Sequence, residues 1–214
     1  MKRLPVILLV LAACQPAGPP VVEVALDPQS PSEERRVGWS PRGEQLPLDD
    51  SNETTIRLGD AEFDIRLVRS EAATHFDELW LDLDRNGTLE PGEVVRTEPS
   101  ETRGKIWSSF DALLQVPSVQ PSGADGEIPY PLAFWYVEDP LEPEAPKVLR
   151  FSRRGWTQGR VELDGVPALV MLTESAMDGV FDDQDSWALA EADSEAVLLG
   201  YKATRAANRH AWLG

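Results

Sequence analysis

The sequence predicts a mainly β protein: an antiparallel β-sandwich-like domain with one or two short helices. Three observations carry that prediction. The stretch TTIRLGDAEFDIRLVRS alternates Ile56, Leu58, Phe63, Ile65 and Leu67 with polar residues on either side of Gly59-Asp60. Period-two alternation about a Gly-Asp pair is the pattern of a half-buried β-hairpin. A second stretch, GRVELDGVPALVMLTES, repeats the design around Asp164-Gly165, a pair that tolerates the positive φ of a tight hairpin turn. Between and around them lie further strand-like runs, ELWLDLD, PYPLAFWYVEDP and KVLRFSRR. That many short strands separated by turn residues suit two sheets packed on one core.

The elements follow in order. Residues 1–13 read as a signal peptide, with Lys2 and Arg3 ahead of an apolar run from Leu4 to Ala13. The run is too short to span a hydrocarbon core of ~30 Å as a helix but suits a secretory signal. It ends in Leu11-Ala12-Ala13-Cys14, and Cys14 is the only cysteine, so no internal disulfide can form. This ending resembles the bacterial lipobox. The resemblance implies lipidation of Cys14, cleavage before it, and a lipid anchor in the cell envelope. Gln15 in place of an aspartate then points to the outer membrane. Acyl chains contribute about 0.8 kcal/mol per buried CH₂, so two or more hold stably.

Residues 14–53 read as a proline-rich, disordered tether after the lipidated cysteine. Prolines 16, 19, 20, 28, 31, 41 and 47 interrupt it and no apolar period is sustained, so little surface is available to offset ordering entropy. Val21–Leu26 could make one lone strand there, and Trp39 is an unexplained aromatic. The β-rich domain spans 54–190. Within it KIWSSFDALLQV (105–116) is ambiguous in period: Ile106, Phe110, Leu113 and Leu114 fit a helical stripe that Trp107 extends. A proline-rich turn is expected at 139–146. Residues 191–214 read as a tail or a short docking helix, ending on an apolar Trp-Leu-Gly that is also consistent with truncation.

Chemistry concentrates at DLDRNGTLEPGE, residues 82–93. A calcium loop of the EF-hand type takes oxygens from positions 1, 3, 5, 7, 9 and 12, with glycine at 6. Those positions here are Asp82, Asp84, Asn86, the carbonyl of Thr88, Glu90 and Glu93, with Gly87 at 6 and Leu89 at the apolar position 8. Carboxylates gathered this closely repel one another unless a cation joins them. The flanks are not helical: Leu79 and Leu81 alternate around Trp80 on entry, and Pro91-Gly92 interrupts the exit. The run WLDLDRNGTLEPGE (80–93) resembles the loop of secreted bacterial GEVED-type domains, WxDxNxDGxFxxxGE, over about fifteen residues. That likeness implies an ion site in a β-rich module, not a whole-chain family.

A second acidic loop, 174–185, aligns less well. Placing Asp178-Gly179 at positions 5 and 6 puts Glu174 at 1, the carbonyl of Val180 at 7, Asp182 at 9 and Asp185 at 12. Ala176 at position 3 removes a ligand, for which Asp183 could substitute, so calcium and a solvent-facing acidic turn both stand. A hairpin ahead of each loop makes a weak internal repeat, or simply two Asp-Gly hairpins in a β-rich chain.

The net charge of −17 argues against nucleic acid as a partner. His75 and His210 share no motif, and no HExxH, GxSxG or glycine-rich phosphate loop is present, so no catalytic residue is assigned. Trp80, Trp107, Trp135, Trp156 and Trp187 could line a glycan platform, but several fall in apparent strands where core packing is the better account. The expectation is therefore a calcium-binding, lipid-anchored envelope protein with a structural or interaction role. The alternatives are an envelope glycan- or protein-binding module, or an accessory region of a larger enzyme.

Overall fold

A computed structural model describes residues 24–31, 43–117, 126–182, 184–192 and 205–206. The signal peptide, Cys14, Trp39, Asp183, His210 and most of 193–214 lie outside the described residues. The regular structure of the described residues is almost wholly antiparallel strand, arranged in three sheets.

The first sheet has four strands in chain order: β3 (Glu53–Leu58), β4 (Ala61–Val68), β5 (Glu78–Leu81) and β6 (Val94–Arg96). Its opening hairpin is the predicted one, with Ile56 opposite Phe63 and Leu58 opposite Ala61. The second sheet runs β2 (Glu44–Pro47), β10 (Val148–Arg153), β9 (Glu127–Glu138), β8 (Lys105–Pro117) and β7 (Ser100–Thr102). These two sheets face each other over the main core. Ile56, Leu58, Phe63, Ile65, Leu67, Leu79 and Leu81 come from one side; Phe110, Leu114, Tyr130, Leu132, Phe134, Leu149 and Phe151 come from the other. The third sheet orders β1 (Asp27–Gln29), β11 (Trp156–Leu163), β12 (Val166–Thr173), β13 (Ser186–Glu191) and β14 (Arg205–Ala206). It has a smaller core of Trp156, Met171 and Ala188.

Three expectations are corrected. Residues 105–116 are not helical but belong to the long strand β8, paired with β9 from Ile106–Glu138 to Pro117–Glu127. Ser108, Phe110, Ala112, Leu114 and Val116 are buried, while Ser109, Asp111, Leu113 and Gln115 are exposed. The adjacent Leu113-Leu114 pair imitated a helical stripe because one leucine of a strand must face out. No α-helix occurs among the described residues; the one helical feature is a 3₁₀ turn at Pro91–Glu93, where proline suits the first position, and it ends as Val94 returns to extended backbone to open β6. The segment read as a tether also supplies structure. β2 closes one edge of the second sheet against β10, Leu46 and Leu48 pack on the main core, and β1 pairs with β11 just beyond the lone strand expected at Val21–Leu26. None of the described helices is long and apolar enough to cross a membrane.

The tryptophans divide as packing requires. Trp135 and Trp156 are buried, whereas Trp80, Trp107 and Trp187 are half-buried. Trp107 and Trp135 line a shallow groove of ≈ 530 Å³ on the outer face of the second sheet, together with Lys105, Asp139 and Arg150. They do not form one platform with the others. His75 is structural in its surroundings: its Nδ1 lies 3.3 Å from Oε2 of Glu138, whose other oxygen accepts the Phe76 N–H at 3.2 Å.

Candidate metal centre

The loop Asp82–Glu93 joins two adjacent strands. β5 ends at Leu81, one residue before the first acid, and β6 begins at Val94, one residue after the last. Trp80 then pairs with Val94 and Leu79 with Val95, so the twelve residues are one long hairpin connection. The predicted flanks, strand rather than helix, are those observed.

Inside the loop the side chains fold back on the backbone. Asp82, 3% exposed, accepts the Asn86 N–H on Oδ1 at 2.9 Å and the Gly87 N–H on Oδ2 at 2.8 Å. Asn86 Oδ1 accepts the Thr88 N–H at 2.8 Å. Glu93 reaches back from the 3₁₀ turn: Oε1 accepts from Leu83 and Asp84 at 2.8 and 3.1 Å, and Oε2 from Glu90 at 3.3 Å. The chain reverses through left-handed conformations at Arg85 (φ 59°) and Gly87 (φ 77°), the second of which explains glycine at that position.

Three of the six predicted ligands converge. Carboxylate oxygens of Asp82, Asp84 and Glu93 all lie within 4.8 Å of one another, a spacing compatible with one ion bonded to each at 2.3–2.6 Å. Each carboxylate oxygen carries two lone pairs, so an N–H bond on one leaves capacity for a cation. The set is all oxygen, which suits a hard divalent ion. Asn86 stays beside this trio, donating Nδ2 to Asp84 Oδ2 at 3.0 Å; Thr88 and Glu90 are exposed, and Glu90 is tied to Glu93 by reciprocal hydrogen bonds. Arg85, the loop's own cation, is turned away, paired with Glu127 of β9 and placed over the Phe63 ring at 5.7 Å.

The second loop has the same frame with different contents. β12 ends at Thr173 and β13 begins at Ser186, again one residue outside positions 1 and 12. Glu174 accepts the Gly179 N–H, as Asp82 accepts that of Gly87. Asp178 accepts from Val180 at 3.0 Å, as Asn86 does from Thr88. Asp185 accepts from Ser175 and Ala176 on Oδ1 and from Asp182 on Oδ2, the same three positions that Glu93 binds. Left-handed residues recur at Met177 (φ 55°) and Gly179 (φ 83°). The weak repeat in the sequence is therefore a repeat of loop structure. It is not a repeat of whole hairpins, because β5 intervenes between the first hairpin and its loop.

Its acids do not converge; the trio in the first loop is the one such group among the described residues. Glu174, 4% exposed, is instead paired with Arg153 of β10, Nη1 to Oε2 at 2.7 Å. Burial drives the Glu174 carboxyl up to about 7, the nearby Arg153 charge opposing the rise. Burial likewise raises Asp185. Arg153 was absent from the sequence-based site because nothing in its spacing announces a contact made across two sheets. The loop also docks on the first hairpin. Asp178 C=O accepts the Gly59 N–H at 2.6 Å, and Met177 is buried in the main core. No family model matches the chain, and neither a curated protein nor a solved structure shows significant similarity to it.

Proposed function

We propose that the chain is a calcium-binding, lipid-anchored protein of the bacterial cell envelope, in which the ion clasps β5 to β6 and the outer sheet faces are presented to an envelope protein or glycan. The observation that carries the reading is the convergence of Asp82, Asp84 and Glu93 in a loop whose twelve positions follow the calcium pattern. Calcium is favoured over magnesium by the twelve-position pattern itself, which is that of a calcium loop. The role is structural: extracytoplasmic calcium near millimolar saturates a site with a Kd of ~10⁻⁴ M, as extracellular modules have.

A thermal melt tests it. At ten times Kd, linkage adds about 1.4 kcal/mol, a rise of roughly 3–6 °C for a domain of this size. The rise should be absent in EDTA and in an Asp82→Ala, Glu93→Ala chain. No calcium-dependent rise in the unmodified chain sinks the reading. The anchor is tested separately: Cys14→Ser should move the protein from the membrane fraction to the soluble one, and continued membrane association would refute lipidation there.

A further inference from the structure

We infer that Arg153 is the built-in cation of the second loop, making Glu174–Asp185 a clasp that closes without a metal ion. This goes beyond the calcium reading of the first loop and does not depend on it. The two loops share the hydrogen bonds that position 1 accepts from 6, position 5 from 7, and position 12 from 2, 3 and 9, so a main difference between them lies in what neutralises the acid at position 1. In the first loop that acid is Asp82, and the loop's own arginine points elsewhere, to Glu127.

In the second loop the counter-charge arrives from another sheet. The side chains of Arg153 and Glu174 are 3% and 0% exposed, so the pair is sealed from water. The guanidinium lies over the Tyr130 ring at 4.5 Å and the Phe181 ring at 4.9 Å. Phe181 stands at position 8 of the loop, where the first loop has Leu89, so the loop supplies part of its own cover. Glu174 accepts from the Arg153 guanidinium on one oxygen and from Gly179 N–H on the other, so its charge is already neutralised by a fixed cation. A divalent ion would have to displace a buried guanidinium or share a dry site with it, and like charges at that range repel strongly in low dielectric. Ala176 at position 3 removes an oxygen as well. A buried ion pair does not by itself imply net stability, but removing one partner leaves an uncompensated charge and is costly.

The consequence is a division of labour. The second loop carries Met177 into the main core and hydrogen-bonds Gly59. That junction between the third sheet and the β3–β4 hairpin therefore persists when calcium is withdrawn, and only the β5–β6 end loosens.

The test uses the full chain with Cys14→Ser and Glu93→Ala, melted at pH 8 with calcium or EDTA and titrated with terbium, whose emission the tryptophans sensitise. With Arg153 in place, the melting temperature should not respond to calcium and no saturable terbium signal should remain. Adding Arg153→Met should lower the melting temperature by roughly 6–12 °C, and adding Glu174→Gln to that chain should recover most of the loss. A terbium signal that survives Glu93→Ala and disappears with Asp178→Ala overturns the inference. So does an Arg153→Met chain that melts unchanged. If Arg153→Met prevents folding altogether, the chain with Glu174→Gln decides: recovery supports charge neutralisation, and no recovery means that Arg153 acts by packing alone. A wild-type chain indifferent to calcium refutes the first-loop reading and leaves these outcomes intact.

Discussion

Gly179→Ala is expected to destabilise the protein by about 3 kcal/mol, whereas Gly87→Ala at the equivalent loop position should cost about 1. Both glycines are left-handed, at φ 83° and 77°, so both substitutions incur the steric cost of placing a Cβ there. Their surroundings differ. A Cβ on Gly179 would lie 2.5 Å from the Leu58 carbonyl carbon and 2.6 Å from the Gly59 nitrogen, while Gly87 has nothing within 4 Å. The Leu58 contact is backbone and cannot rotate aside. Relief requires the second loop to lift, which strains the Gly59–Asp178 hydrogen bond and withdraws Met177 from the core. Denaturant melts of the two variants measure the difference directly. Equal losses would mean that the second loop is not docked on the β3–β4 turn.

The second large effect is a pH dependence. Glu174 has a folded pKa near 7, against an ordinary 4.5, because burial outweighs the help of Arg153. A carboxyl raised on folding binds its proton more tightly in the folded state. Its contribution is fully present below about pH 4.5 and is lost as pH rises through 7. The shift corresponds to about 3 kcal/mol. Asp185, also raised by burial, acts in the same direction. Asp77 opposes it: hydrogen bonds from Ser70 hold it below its ordinary value despite some burial, so its contribution is lost as pH falls. The measurement is stability against pH for wild type and Glu174→Gln. The wild type should lose its advantage, or fall behind, by about that amount between pH 4.5 and 8. Parallel curves would refute the raised pKa.

Local pattern made much of this legible in the sequence. Alternation about Gly-Asp and Asp-Gly pairs placed both hairpins, because a sheet with one buried face imposes period two on its residues, and apolar runs bounded by turn residues placed ELWL, PYPLAFWYVE and VLRFSR where strands occur. The first loop was readable for a similar reason: its hydrogen bonds run between positions at most ten apart, so the spacing of acids and glycine nearly specifies the turn. β8 is ambiguous in sequence because its leucines straddle both faces, and only pairing with β9 says which one is inside. β2 and β1 escaped notice because three or four residues carry too little periodicity to register; the edges of β10 and β11 order them.

What the sequence determined alone was therefore the β class, the hairpin turns and the two twelve-residue frames, all set by contacts between near neighbours. What only the tertiary structure decided was the content of the second frame. Glu174, in the loop that leaves the third sheet, and Arg153, at the end of β10 in the second, are 21 residues apart, and nothing local distinguishes a carboxylate awaiting an ion from one already neutralised. Folding brings the guanidinium of one sheet against a loop of another, and long-range proximity, not residue spacing, sets the charge that each loop still requires.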